Sequence, residues 1–239
     1  MDPAPLTPAE RDALGGLATD LRRVFGDRLL SLVAYGLNKP APAPRALHSL
    51  ALLQRLAFAD LVACAGLASG WQRRSLAAPL LLEREEFFRT LDVFPLEYGD
   101  IIAHHVVVAG PDPFAGTGVS PNDVRRACEL AAKSHLIHLR EGFVETGGTP
   151  QAVTDLISAS APAFRALLGN IARLADDDEH DVAETAERQI GIPASVVREV
   201  LSAGVGTRSS IAEPSALLAQ YIAAAERVWE YVDTWRARA

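Results

Sequence analysis

The chain has 239 residues, 49% hydrophobic and 22% charged, enough to bury a large core in one domain or two. Its formal net charge of -7 excludes a general nucleic-acid binder: residues 1–119 carry 11 basic and 13 acidic side chains and residues 120–239 carry 12 and 17, so neither half offers a basic excess to phosphates. Cys64 and Cys128 sit in apolar helical patterns and read as small hydrophobes in a reducing cytoplasm, and no apolar run approaches the roughly 20 residues of a membrane-spanning helix.

The acidic start MDPAPLTPAERD lacks the basic opening and apolar run of a secretion signal, so a cytoplasmic protein is expected. Thr7-Pro8-Ala9-Glu10 is a capping box with proline at the first helical position, and Leu14, Leu17, Leu21 and Val24 share one face, which predicts a helix to about Val24. Residues 29–35 predict a buried strand that runs into Gly36, residues 38–46 a proline-rich loop, and residues 47–53 a second apolar strand. Helices follow near 58–74 and 85–91, with further strands at 79–82 and 97–108. The unbroken runs Leu80-Leu81-Leu82 and Val106-Val107-Val108 predict strands covered on both faces. After Gly110-Pro111-Asp112-Pro113 the pattern turns helical. Ser120-Pro121-Asn122-Asp123 caps a long helix, and helical patterns recur at 151–174, with Pro162 as a break or kink, at 194–203 and at 215–236. The expectation is an α+β chain: a mixed sheet with helices in residues 1–115, then an antiparallel helical bundle in residues 116–239.

The order strand, Gly36, loop, strand resembles the opening of the nucleotidyltransferase fold of the DNA polymerase β superfamily. Residues 80–114, with the Phe94-Pro95-Leu96-Glu97 segment and a close on Ala109-Gly110, resemble the second half of that domain in bacterial proteins that join it to a helical bundle. The likeness spans residues 7–145. It implies a Gly-Ser turn that holds phosphates and an Asp-x-Asp pair that holds magnesium, with a third acid on a later strand. Here the turn is Gly36-Leu37, the pair falls on Ser49 and Ala51, and Glu97 or Asp100 is the counterpart of the third acid. Neutral side chains at the pair do not suit magnesium, which demands oxygen ligands. The expectation is therefore an inactive site built from Gly36, Ser49, Ala51, Glu97 and Asp100, without metal or cofactor, in a binding or regulatory module for a nucleotide or a protein. The alternative is an active magnesium-dependent nucleotidyltransferase that uses Glu97 and Asp100 with a displaced ion.

Gly36, Asn38 and Lys39 offer backbone donors and a cation to a phosphate, or form an ordinary connector. His135 and His138 are spaced i, i+3, and His135 within an apolar stripe reads as a hydrogen-bonded core residue; His104-His105 sit adjacent on a predicted strand. The acidic run 176–181 lacks the glycine and ligand spacing of a calcium loop and reads as a solvated turn. It also sets apart Arg173 and His180, whose spacing superficially matches helical ribonucleases. Tyr221, Trp229, Tyr231 and Trp235 exceed what one helix face needs, which raises a homodimer through the helical half as a third reading. Hydrolase triads, Walker loops and dinucleotide fingerprints do not occur.

Overall fold

The computed structural model describes residues 6–37, 46–175, 181–204 and 211–236. They form two compact units that divide after Val119.

The first unit opens with α1, Pro8–Phe25. Its N-terminus is closed reciprocally: the Glu10 carboxylate accepts from Thr7 N–H at 2.8 Å, and Thr7 Oγ1 accepts from Glu10 N–H at 3.2 Å. A single 3-10 turn, Gly26–Arg28, leads into β1, Leu29–Tyr35. The remaining elements are β2 (His48–Leu53), α2 (Phe58–Arg73), β3 (Leu80–Glu83), α3 (Arg84–Arg89), α4 (Pro95–Ala103) and β4 (His105–Ala109). The sheet runs β3-β2-β1-β4, with β1 antiparallel to both neighbours and β3 parallel to β2.

Alternation along the strands sorts side chains to two faces. Leu32, Ala34, Leu47, Ala51 and Leu53 pack with Leu14, Leu17 and Leu21 of α1 and Cys64 and Trp71 of α2. Val33, Leu50 and Leu52 pack on the other face with Phe87 of α3, Tyr98 and Ile101 of α4, and Phe114. Two polar clamps fix the first layer. Arg74 donates to Asp20 Oδ2 at 2.6 Å, and the Trp71 indole N–H donates to the same oxygen at 3.1 Å, tying α2 to α1. Gly16 leaves room for that arginine, since a Cβ there would meet the Arg74 guanidinium. Arg28 grips Asp60 with both terminal nitrogens, at 2.7 and 2.8 Å, while Asp60 Oδ2 accepts from Ala57 N–H and caps α2.

Two expectations need correction. Residues 97–108 are not one strand: Pro95 starts α4, Glu97 occupies its first turn, and Tyr98 and Ile101 bury at helical spacing, so β4 begins only at His105. Nor are the leucine and valine runs covered on both sides. They form the two edge strands, and Leu80 and Val107 are 42% and 38% exposed.

The second unit is helical: α5 (Pro121–Glu145), α6 (Pro150–Leu174), α7 (Val182–Ile190), α8 (Ala194–Ala203) and α9 (Pro214–Thr234). Pro162 lies inside α6 without ending it. Phe164, Tyr221 and His135 meet in the core, with Tyr221 edge-on to Phe164 at 4.9 Å and His135 stacked on Phe164 at 5.6 Å. Among the described residues, no helix is long and apolar enough to cross a membrane.

Candidate functional site

Gly36 ends β1 in the left-handed region, φ +71°, and nothing described lies within 4 Å of where its Cβ would be. Leu37 after it is buried. Asn38 and Lys39 lie outside the described residues. Ser49 and Ala51 are buried, 1% and 0% exposed. Ala51 packs in the layer under α1 and α2, and strand alternation turns Ser49 to the same face. Ser49 Oγ has no hydrogen-bond partner among the described residues.

Glu97 and Asp100 lie elsewhere. Both are on α4, whose Tyr98 and Ile101 pack against the opposite face of the sheet. Glu97 is exposed, and Asp100 Oδ1 lies 3.2 Å from His104 Nδ1. The expected five-residue site is therefore not one cleft: Ser49 and Ala51 face the helix-covered core, and the two carboxylates belong to the other side.

That other side holds a row of three rings, of which only His105 stood out in the sequence. Tyr35 is the register partner of His48 on β2 and of His105 on β4. Directly opposed residues point to the same face, so the three side chains cross three strands beside Gly36. The Tyr35 and His48 rings are 5.8 Å apart at 35°. His48 is exposed and Tyr35 half-buried, and burial raises the Tyr35 hydroxyl above the ordinary phenol range. His105 is fixed: Nδ1 lies 3.0 Å from Ile102 O, Nε2 lies 3.2 Å from Asp112 Oδ1, and its ring stands edge-on to Phe114 at 5.0 Å. Both nitrogens thus lie within hydrogen-bond distance of an oxygen. The available signal was positional, since Tyr35 and His48 end and begin the strands that flank the Gly36 loop.

His135, Trp229, Cys128 and Asp181 each have a structural setting. His135 Nε2 lies 2.7 Å from the Tyr221 hydroxyl oxygen, and burial, with the nearby His138, depresses its pKa to about 4. Trp229 is covered by the Lys133 ammonium, 3.6 Å from the ring centroid. Burial pushes the Cys128 thiol up to about 12, which removes thiolate chemistry there. Asp181 caps α7 by accepting from Ala183 N–H at 2.8 Å, and the rest of the acidic run, with His180, lies outside the described residues.

No protein-family model matches the chain, and no curated protein does. Among solved structures, it is similar to spectinomycin adenyltransferase AAD(9) from Enterococcus faecialis, whose crystal structure contains ATP and spectinomycin. The TM-score is 0.53 at 10% identity, over 91% of this chain and 98% of that one. The fold is that of the nucleotidyltransferases. At this identity the likeness carries the fold alone, and the chemistry has to be read from the residues present.

The magnesium implied by a nucleotidyltransferase fold does not fit those residues. Glu83 is the one acidic residue in the four strands, and its Oε1 accepts from Leu56 N–H at 2.9 Å. Among the described residues, no three His, Cys, Asp or Glu side chains converge in a way that could hold a metal ion. The Ser49 hydroxyl is a neutral oxygen sealed in the core, and imidazoles are poor partners for a hard cation.

Proposed function

We propose that the chain is a nucleotidyltransferase-fold protein that binds a small-molecule or protein partner without transferring a nucleotide. One observation carries the reading: β1, β2 and β4 contain no acid at all, whichever face is considered, and the single acid of β3 is bonded to the Leu56 amide. Phosphoryl-type transfer depends on carboxylates that position divalent ions against the triphosphate, and such strands have none to offer. A binding role is supported by the end of β1, where the left-handed Gly36 follows Tyr35 and the exposed His48 ring lies 5.8 Å from the Tyr35 ring.

The competing reading is an active enzyme that uses Glu97 and Asp100 with a displaced ion. Their i, i+3 spacing on α4 favours it by bringing two carboxylates to neighbouring positions. The His104 contact to Asp100 works against it. Incubation with radiolabelled ATP and magnesium in the presence of candidate acceptors decides between them. The proposal expects no labelled product and no pyrophosphate above a buffer control. Turnover that disappears in Glu97→Gln and Asp100→Asn would overturn it in favour of the enzyme.

A further inference from the structure

The outer side of α2 departs from the pattern of a surface helix, which shows polar and charged residues to water. Its inner side is accounted for: Cys64 and Trp71 are buried, and Leu67 and Ala68 pack against the same core. The other side carries Phe58, Leu61 and Val62, which are 79%, 41% and 58% exposed, followed by Ala65, Gly66 and Ser69, all exposed. No charged side chain occurs between Asp60 and Arg73, and Asp60 is held by Arg28 and Ala57 N–H. Three turns of the helix are therefore uncharged all round, the composition of a helix covered on both sides. Size along the exposed side is graded, with large residues in the first half and small ones in the second. Two copies of α2 laid antiparallel about Ala65 and Gly66 bring Leu61 level with Gly70, Val62 with Ser69 and Ala65 with Gly66. Each bulky aliphatic side chain then meets a small one. Phe58 comes level with the exposed Arg73 of the second copy, a cation for the face of its ring. A parallel pair would instead set Phe58 on Phe58 and leave a gap where glycine meets glycine.

We infer that the outer face of α2 is the contact surface of a homodimer, in which two copies of the helix pack antiparallel across a two-fold axis at Ala65 and Gly66. Charge favours this occupant. With a net charge of -7 on each chain, two copies repel over much of their surface and approach best at a face that offers no free acid. The two Arg73 groups then lie roughly 22 Å apart along the pair, well beyond the screening length of about 8 Å. A lipid surface is a poorer match, because the same net charge opposes anionic headgroups. The 16 residues of α2 span about 24 Å, and a single helix pair of that length lies at the small end of specific interfaces. Association is accordingly micromolar rather than nanomolar. Such a dimer is independent of nucleotide transfer, and its contact lies on a different element from the α9 aromatics.

Sedimentation equilibrium of the full chain across the micromolar range reads the association, and single-cysteine variants read its direction. The expected result is a reversible monomer–dimer equilibrium that Val62→Glu weakens at least about tenfold. Because Val62 is exposed, that variant should keep the parent's circular dichroism spectrum and melting midpoint. Under mild oxidation, Ala65→Cys should cross-link to its own copy near the two-fold axis. Val62→Cys and Ser69→Cys should each stay single when alone, since each residue lies about 10 Å out of level with its own copy, and should cross-link when mixed. The two native cysteines are buried, so the parent chain serves as the uncross-linked control. A chain that remains monomeric throughout the range, a dimer that Val62→Glu leaves intact, or cross-linking of Val62→Cys by itself, as a parallel pair requires, would each overturn the inference.

Discussion

Gly110 and Gly36 both adopt left-handed backbone, φ +80° and +71°, yet replacement should cost different amounts. A Cβ at Gly110 would overlap the Leu30 carbonyl oxygen and sit 3.0 Å from Ser31 Cα, where β4 closes on β1, whereas a Cβ at Gly36 meets nothing within 4 Å among the described residues. Gly110→Ala should therefore lose about 2 kcal/mol or more in urea unfolding, and Gly36→Ala about 1 kcal/mol, the cost of the backbone alone. His135 gives a second residue-scale prediction. Its folded pKa of about 4 lies below the ordinary 6.5, so the unfolded chain takes the proton first as pH falls. The stability contributed by the neutral ring is complete above about pH 6.5 and is lost as pH drops toward 4. His135→Gln keeps a hydrogen-bonding group opposite Tyr221 and should flatten that dependence by roughly 1–2 kcal/mol between pH 7 and pH 4.5 in urea titrations.

At the scale of elements, α2 depends on Asp60, which the Arg28 guanidinium and the Ala57 amide hold down to a pKa of about 2. A depressed carboxyl stabilises the fold above its ordinary pKa of 3.8 and loses that contribution as pH falls to about 2. Asp60→Asn should lower the thermal midpoint at pH 7 and show less further loss than the parent between pH 4 and 2, by circular dichroism melts. The element that sequence patterning misjudged, α4, shows where legibility ended. Leu96, Tyr98 and Ile101-Ile102 fit a strand's apolar density as well as a helix, and the deciding feature, Pro95 at the first helical position after Phe94, is local and easily outweighed by the valines that follow. By contrast, α1 was legible to within a residue, because a capping box, a proline and a leucine stripe all agree.

For the whole molecule, the mixed sheet followed by helices was legible because strand and helix patterns alternate up to Gly110 and only helical patterns follow, and the fold is shared with the adenyltransferase. The candidate site was less legible. Which residues share a face depends on strand register, and a shift of one position exchanges the faces. Ser49 and Ala51 thus lie under α1 and α2, while Tyr35, His48 and His105, drawn from three separate segments, meet only once β1 has paired with β2 and β4. The central claim, that the strands of this nucleotidyltransferase fold hold no platform for a divalent ion, is tested most directly by titrating the protein with manganese, a paramagnetic stand-in for magnesium, in the presence of ATP and following the free ion by electron paramagnetic resonance. The account predicts no more ion withdrawn than ATP alone withdraws. A stoichiometric protein-bound fraction beyond that, saturating at micromolar manganese and abolished in Glu83→Gln or Asp100→Asn, would contradict it.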